Sequence, residues 1–271
     1  MKKKLLVSIL IANYNKEKYI DRGIKSCLKQ TYKNIEIIFV DDSSNDNSFN
    51  EAKKFKKITV FKKKRIKFKQ NFNTFFQIET YLYAFKKSSG EIIFFLDADD
   101  FFLKNKVFKI VKYFEKNPHT QILFDNPIIY YAKNNFHYDN FYLTKRKNPW
   151  PKFPPQSCIA IRRSFFKKIL NEIVNKNFNL LTLDFRLAAI SYFAFNNYEN
   201  INDYLTFYYQ DPAGETNNKF KKFSVDWWLR RRQAHDYCRY LLKKYSKKKK
   251  FSLDSLLTTL ITNILKLLCK L

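Results

Sequence analysis

Apolar residues fall in continuous runs through the first half of the chain, separated by stretches where they recur at helical spacing. Leu5–Ile11 is one such run, the pattern of a strand buried on both faces of a parallel sheet. Glu17–Gln30 follows with apolar residues at Tyr19, Ile20, Ile24, Cys27 and Leu28, which predicts a helix. A second run, Ile35–Val40, ends in Asp41-Asp42-Ser43-Ser44, residues able to cap a helix reaching Lys56. Ile58–Phe61 reads as a third strand, Phe72–Lys87 as a helix closed by Ser88-Ser89-Gly90, and Glu91–Leu96 as a fourth strand. Leu103–Glu115 makes another helix, stopped at Asn117-Pro118. This alternation is that of a βαβ nucleotide-binding half.

Beyond Pro118 the pattern loosens. Gln121–Tyr131 reads as a strand, Asn134–Pro155 as a long aromatic loop, and Ser157–Ile161 as a short strand. Ser164–Val174 and Asp184–Phe195 read as helices and Ile201–Tyr208 as extended chain. Two amphipathic helices close the sequence, Ser224–Tyr245 and Leu253–Leu271, both expected to stand outside the α/β core. The organisation predicted is one α/β domain over 1–215, made of a ligand-binding half (1–117) and a second half (118–215), followed by a helical tail over 216–271. The apolar start of the chain lacks a small-residue cleavage site and stops at Asn13-Tyr14-Asn15, so it reads as a first strand rather than a signal peptide. No stretch has the apolar length that spanning a bilayer requires.

Composition sharpens this in three places. The chain has 271 residues, 45% of them hydrophobic, enough for one substantial core. Cys27, Cys158, Cys238 and Cys269 lie far apart with no C-x-x-C pair, which argues against a zinc site or disulfide framework and fits a reducing, cytoplasmic compartment. The net charge is +28, with clusters at Lys62–Lys69, Arg230–Arg232 and Lys247–Lys250. Such charge attracts nucleic acid, anionic lipid or a polyanionic substrate; it is also what a general over-use of Lys, Asn, Ile, Phe and Tyr produces. No RNP-type, zinc-finger or helix-turn-helix signature accompanies it, so nucleic acid is not an expected partner. The leucine stripe of the last helix beside Lys247–Lys250 fits a peripheral contact with an anionic membrane, and fits equally packing on the core or on a second subunit.

Ligands of open α/β sheets bind beyond the carboxyl ends of the strands. Three polar clusters fall there: Asn13–Asn15, Asp41–Asp42 and Asp97–Asp100. In extended chain, residues two apart point the same way, so Asp97 and Asp99 can face one ligand. Two carboxylates suit Mg²⁺ or Mn²⁺ held jointly with substrate phosphates. Helix capping is the ordinary alternative for any one of these aspartates.

Four segments together, Val7-Ser-Ile-Leu-Ile-Ala-Asn-Tyr-Asn15, Ser26-Cys-Leu-Lys-Gln-Thr-Tyr32, Ile38-Phe-Val-Asp-Asp-Ser-Ser44 and Ser89-Gly-Glu-Ile-Ile-Phe-Phe-Leu-Asp-Ala-Asp-Asp100, resemble the family 2 glycosyltransferases in order and spacing. The resemblance implies a GT-A fold, a Rossmann-like and mostly parallel sheet flanked by helices, here with a C-terminal helical tail. It implies inverting transfer from a nucleotide-diphosphate sugar, with a UDP-sugar favoured, to a glycan or lipid-linked acceptor, as in cell-surface polysaccharide synthesis. By matching position Ala12, Asn13 and Asn15 would line the nucleoside pocket, Asp41 or Asp42 would bond the base, Asp97 and Ala98 would meet the donor, and Asp99 with Asp97 would hold Mn²⁺ or Mg²⁺. The helix before the fourth strand departs from the family in carrying Phe75-Phe76-Gln77 where a Gly and an Arg are often found.

The second half matches more loosely. Asp184-Phe-Arg-Leu-Ala188 resembles the later acidic motif that supplies the general base, and Asp184 at a helix start would be kept ionised by the helix dipole. A helix N-cap is the competing role for Asp184, and Asp203 and Asp211 are the next candidates for the base. Tyr208-Tyr209-Gln210-Asp211 lacks the basic residues often found at that place in relatives. The three histidines show no triad or metal spacing. The expected location is cytoplasmic, with a peripheral position on the inner face of the cytoplasmic membrane.

Overall fold

The computed structural model describes residues 4–65, 73–131, 135–138, 149–150, 152–210, 220–248 and 252–269. The first half runs β1 (Val7–Asn13), α1 (Glu17–Leu28), β2 (Ile35–Asp41), α2 (Ser48–Lys53), β3 (Thr59–Lys62), α3 (Asn73–Lys86), β4 (Ile92–Asp97), β5 (Phe101–Phe102) and α4 (Lys106–Lys116). The second half runs β6 (Ile122–Tyr131), β7 (Asn135–Tyr138), β8 (Ile159–Arg162), α5 (Arg163–Lys168), α6 (Leu170–Ile173), α7 (Leu183–Ala189), β9 (Glu199–Gln210), α8 (Val225–Lys244) and α9 (Leu253–Cys269). All the strands join one sheet in the order β3-β2-β1-β4-β8-β6-β9-β5, with β7 on β6. Strands β3, β2, β1 and β4 are parallel. Strand β8 then inserts antiparallel to both β4 and β6, so the sheet is mixed beyond the nucleotide-binding half.

Alternation along the central strands explains the apolar runs. Leu10, Ala12, Val40, Ile93 and Phe95 face the side covered by α3, α5 and α7. Ile9, Ile11, Phe39, Phe94 and Leu96 face the side covered by α1 and α4. Both faces are dry, and every residue of β1 is buried. Helix α8 belongs to the first of these layers: Ala234, Tyr237, Cys238 and Leu241 are buried in it. Of the two C-terminal helices expected outside the core, only α9 stands there, since among the described residues none of its side chains joins either cluster.

Several predicted elements shift for identifiable reasons. The Asp41–Ser44 segment does not cap α2; the cap position is Asn47, and Asp46 takes the Ser48 amide at 3.0 Å. The helix expected from Leu103 starts at Lys106, because Phe101 and Phe102 pair with β9 and the Leu103 amide bonds Leu205 O at 2.9 Å. The aromatic loop expected over 134–155 contains β7, which pairs with β6; most of the remainder lies outside the described residues. The strand expected from Ser157 begins at Ile159, after a single helical turn at Gln156–Cys158. The helix from Ser164 breaks at Ile169, and the one through Phe195 widens to a π turn at Ile190–Phe195. Gly90 is not a helix cap: a Cβ there would meet Ser8 N at 2.5 Å, and the Gly90 amide bonds Ser8 Oγ and Glu36 at 2.8 Å each.

Candidate functional site

The carboxyl ends of β1, β2 and β4 bring the three polar clusters to one edge. Asn13 stands opposite Asp41 in register, and Ala12 opposite Asp97. The Asn13 amide donates to Asp41 Oδ2 at 2.8 Å and to Ser44 Oγ at 3.1 Å. Asp41 Oδ1 takes the Ser44 amide at 2.9 Å, which folds the loop after β2 back over β1. Asn15, at φ 53°, accepts the Asn45 amide on Oδ1 at 2.8 Å and gives its own amide to Ser44 Oγ at 2.9 Å. Left-handed backbone suits Asn, whose side chain bonds locally. Asp42 meets Lys63 Nζ at 2.7 Å and Arg65 Nε at 3.6 Å, and burial, only partly offset by Lys63, holds its carboxyl above the usual range. The Arg65 guanidinium lies over the rings of Tyr14 at 4.1 Å and Phe76 at 4.2 Å. Asn13 Oδ1 is buried with no partner among the described residues.

Asp97 ends β4, and the chain turns at once through Ala98 and Asp99, closed by the Asp100 amide on Asp97 O at 2.9 Å, so Asp99 does not continue the extended strand. The two carboxylates of the D-x-D therefore do not share a face by strand alternation. Asp97 is gripped by neutral donors: Gln77 Nε2 and Tyr81 Oη at 2.8 Å each, and Gln156 Nε2 at 2.6 Å to both oxygens. Burial, reinforced by the charge of Asp99, pushes its carboxyl up to about 7. Asp99 pairs with Lys16 Nζ at 2.7 Å, and its carbonyl takes Arg22 Nη2 at 3.0 Å. Asp100 accepts Ser157 Oγ at 2.5 Å and the Tyr209 amide at 2.8 Å, and burial again drives its carboxyl well up. Ala98 turns its methyl into the core, where its amide bonds Ala12 O at 3.2 Å.

Behind this turn sits a fully buried cation. Lys106 Nζ donates to Asp125 Oδ1 and Ser157 O at 2.7 Å and to Thr206 Oγ1 at 2.5 Å. Ser157 in turn takes the Asp97 amide on its Oγ at 3.0 Å, so the Lys106 network props the acidic turn from beneath. On the α1 side, Gly23 gives clearance: a Cβ there would lie 3.1 Å from Asp100 O and 3.2 Å from Ala98 O.

Asp184 enters from α7. It lies in the second position of that helix, with Oδ1 on the Phe185 amide at 2.7 Å. Burial raises its carboxyl above the usual range, and the Thr182 and Phe185 hydrogen bonds and the Arg230 charge only partly counter it, so burial outweighs what was expected to keep it ionised. Its charge adds a small part to the raised carboxyl of Asp97, after burial and Asp99. Arg186 of the same motif is structural, donating to Ile173 O at 2.6 Å and Asn175 O at 3.0 Å. Asp203 is tied to Lys109 at 2.5 Å, and Asp211 lies outside the described residues.

Sequence reasoning passed over Gln77, Tyr81, Gln156 and Ser157 as contacts of the turn, and Lys16 and Arg22 as its cations. Gln77 carried a signal, since it stands in the departure Phe75-Phe76-Gln77, as did Arg65 and Arg230 in their basic clusters. Among the described residues no three His, Cys, Asp or Glu form a metal cage. A divalent ion here would take two carboxylates at most, Asp99 and Asp97, with phosphate and water completing its shell.

The profile of "Glycosyl transferase family 2" matches residues 8–172. An uncharacterized glycosyltransferase of Nostoc sp. is 31% identical over 176 residues, 60% of this chain and 52% of that protein. The Escherichia coli UDP-Glc:alpha-D-GlcNAc-diphosphoundecaprenol beta-1,3-glucosyltransferase WfgD is 40% identical over 102 residues, 38% of each chain. The matched part thus spans about half or less of these relatives' length. Among solved structures, Staphylococcus aureus TarS 1–349 in complex with UDP superposes with a TM-score of 0.61 at 15% identity, covering 89% of this chain and 71% of that one. The same TarS fragment with UDP-GlcNAc gives 0.60. The fold is therefore GT-A, and by the extent of the profile match this chain belongs to glycosyl transferase family 2.

Proposed function

We propose that the chain is an inverting glycosyltransferase that moves a sugar from a UDP-sugar to a hydroxyl of a glycan or lipid-linked acceptor in cell-surface polysaccharide synthesis. The observation that carries this reading is the convergence of Asn13, Asp41 and the Asp97–Asp99 turn at one strand edge. Asn13, Asn15 and Asp41 form a hydrogen-bonded floor for the nucleoside, with Ala12 beneath it and Asp42, Lys63 and Arg65 at its side. A UDP donor is supported by the UDP-Glc in the name of the Escherichia coli relative and by the UDP and UDP-GlcNAc complexes of TarS. The diphosphoundecaprenol in that relative's name supports a lipid-linked acceptor. Such an acceptor puts the reaction at a membrane face, in keeping with a peripheral position on the inner side of the cytoplasmic membrane.

We propose that Mn²⁺ or Mg²⁺ binds at the acidic turn with the donor. Asp97, Asp99, Asp100 and Asp184 crowd one region, and the raised carboxyls of Asp97 and Asp100 reflect burial and mutual repulsion that a cation would relieve. Asp99 and Asp97 would hold the ion, which when bound neutralises charge on the leaving diphosphate. The chain's own residues do the rest. Lys16 and Arg22 fix Asp99, and Gln77, Tyr81 and Gln156 fix Asp97. Asp184 takes the acceptor hydroxyl's proton as its oxygen attacks the anomeric carbon; the bond to the diphosphate oxygen breaks on the opposite face and the configuration inverts. A carboxyl raised by burial is a stronger base than one in water, which suits that step.

Transfer from UDP-sugars and UDP binding, measured with Mn²⁺ and with chelator, test the reading. Asp99→Asn is expected to lose metal-dependent UDP binding, while Asp184→Asn binds UDP normally and transfers slower by about 10²–10⁴. Full activity in excess chelator would overturn the metal assignment, and near-normal turnover in Asp184→Asn would move the base elsewhere.

A further inference from the structure

Helix α9 is amphipathic in the reverse sense to a helix packed on a core. Its polar side faces the protein. Asp254 bonds Arg231 at 2.5 Å and His235 at 2.6 Å, Ser255 takes Arg239 at 2.6 Å, and Thr262 takes Arg232 at 2.9 Å. Thr258 and Thr262 are buried at 1% and 0% exposure. The leucine side faces away: Leu256, Leu257, Leu260 and Ile264 are 46–58% exposed, and Leu267 and Leu268 are 81% and 76% exposed. A surface helix in water normally turns its apolar stripe to the core. Here the stripe is contiguous, and contiguous exposed apolar surface marks an interaction site.

Charge identifies what covers it. The chain carries +28, and Lys247, Lys248 and Lys266 are exposed just before and along α9. A second copy would bring the same positive charge to the stripe and repel it, whereas an anionic surface is attracted. Phe223, 64% exposed, clusters with Trp227 and Trp228 at the start of α8, aromatic residues of the kind that sit at a headgroup boundary. At 17 residues α9 is about 25 Å long. Among the described residues no helix is long and apolar enough to cross a membrane. A helix of this kind lies in the interface plane, and a leucine face plus a polybasic segment supply the two signals stable attachment needs.

We propose that α9 docks the enzyme on an anionic lipid bilayer, leucine side in the headgroup boundary and polar side bolted to α8. The lipid-linked acceptor read above gives this docking its purpose, and the test below needs neither donor nor acceptor. The full chain is sedimented with vesicles of phosphatidylglycerol and phosphatidylcholine, and with phosphatidylcholine alone, at low and high salt. Binding to the anionic vesicles is expected, at least tenfold weaker to the neutral ones and weakened by salt. Leu256→Gln/Leu260→Gln/Ile264→Gln, three exposed positions, is expected to bind at least tenfold more weakly while keeping its helix content, melting temperature and UDP binding. Equal, negligible sedimentation of both proteins with anionic vesicles overturns the proposal. So does a wild-type dimer in analytical ultracentrifugation that the triple variant abolishes while vesicle binding is unchanged, since the stripe is then a subunit interface. Wild-type vesicle binding without UDP binding would leave the docking standing and remove the UDP-sugar donor reading instead.

Discussion

Replacing Lys106 by Met removes the one positive charge facing Asp125 inside the core, where both side chains are 0% exposed. The carboxylate keeps Thr206 Oγ1 at 2.7 Å but loses its counter-ion, and Ser157 O keeps only the longer contact of Thr206 Oγ1 at 3.3 Å. Breaking a buried pair by deleting one partner costs about 3–5 kcal/mol, because a charge is left uncompensated. For a chain of this length that is a fall in Tm of roughly 6–20 °C. Asp125→Asn leaves the ammonium stranded and should cost a similar amount. In Lys106→Met/Asp125→Asn no charge remains, and the residual loss should be at most about 1–3 kcal/mol, since the Ser157 carbonyl keeps Thr206 Oγ1 at 3.3 Å. The double variant should therefore lose at least about 2 kcal/mol less than the two singles summed.

A pH series makes the cause specific. Burial already raises Asp125, and loss of Lys106 removes what pulls it down. A carboxyl raised on folding contributes stability that is full below its unfolded value of about 3.9 and is lost as pH rises. The deficit of Lys106→Met against wild type should thus shrink from pH 7.5 to pH 4.5, read by urea unfolding followed by circular dichroism. A deficit under about 1 kcal/mol, or one equal at the two pH values, would refute the electrostatic account. Because Ser157 carries the Asp97 amide and the Asp100 carboxylate, the folded fraction of Lys106→Met should also lose UDP affinity.

Two further outcomes follow from the same contacts. Gly90→Ala should destabilise by about 3 kcal/mol, the upper end for overpacking, since its Cβ meets backbone at 2.5 Å; Gly23→Ala, 3.1 Å from Asp100 O inside a helix that favours Ala, should change stability by less than about 1 kcal/mol yet impair transfer. Equal melting curves for Gly90→Ala and wild type would refute the first, and normal turnover in Gly23→Ala the second. Burial holds His235 below its ordinary value, and the Arg231 and His235 bonds outweigh burial to hold Asp254 below its own, so both contribute stability that is full near neutral pH and is lost on acidification. The protection factors of the α9 amides, that is, exchange corrected for its base-catalysed dependence on pH, should fall below pH 6.5 by at most about tenfold per unit for one proton, while the core face of α8 stays protected; equal protection factors at pH 7.5 and 5 would contradict this.

The parallel half was legible because its strands are dry on both faces, and a run such as Val7–Ala12 admits few other readings. The turn at Asp97–Asp100 was legible as a location, at the end of the strand that neighbours β1. Its internal order was not. Gln156 and Tyr81 reach Asp97 across 59 and 16 residues of chain, and neither residue type marks itself in a pattern. Nothing in the sequence sets Lys106 apart from the many other lysines, although it is 0% exposed. Asp184 was placed correctly at a helix start, but its state is governed by burial, which periodicity does not report. For α9 the leucine period was visible while its direction was not, because direction depends on which polar partners α8 presents.

Helix α8 ties these parts together. Its core face, Ala234, Tyr237, Cys238 and Leu241, fixes its rotation against α7 and the sheet. With that rotation fixed, Arg230 reaches the neighbourhood of Asp184 and Thr182, while Arg231, Arg232, His235 and Arg239 form the polar seat for α9. The basic cluster Arg230–Arg232 is therefore divided between two tasks by helical geometry, since successive residues on an α-helix point about 100° apart. One residue tunes the carboxylate proposed as base, and the next two hold the helix proposed to meet lipid. Because the polar seat lies on α8 and the leucines on α9, the membrane contact can be weakened from the outside without touching the core packing that sets Arg230. The same division explains why α8, though basic and polar over much of its surface, belongs to the folded core, while α9 depends on side-chain hydrogen bonds and ion pairs for its place.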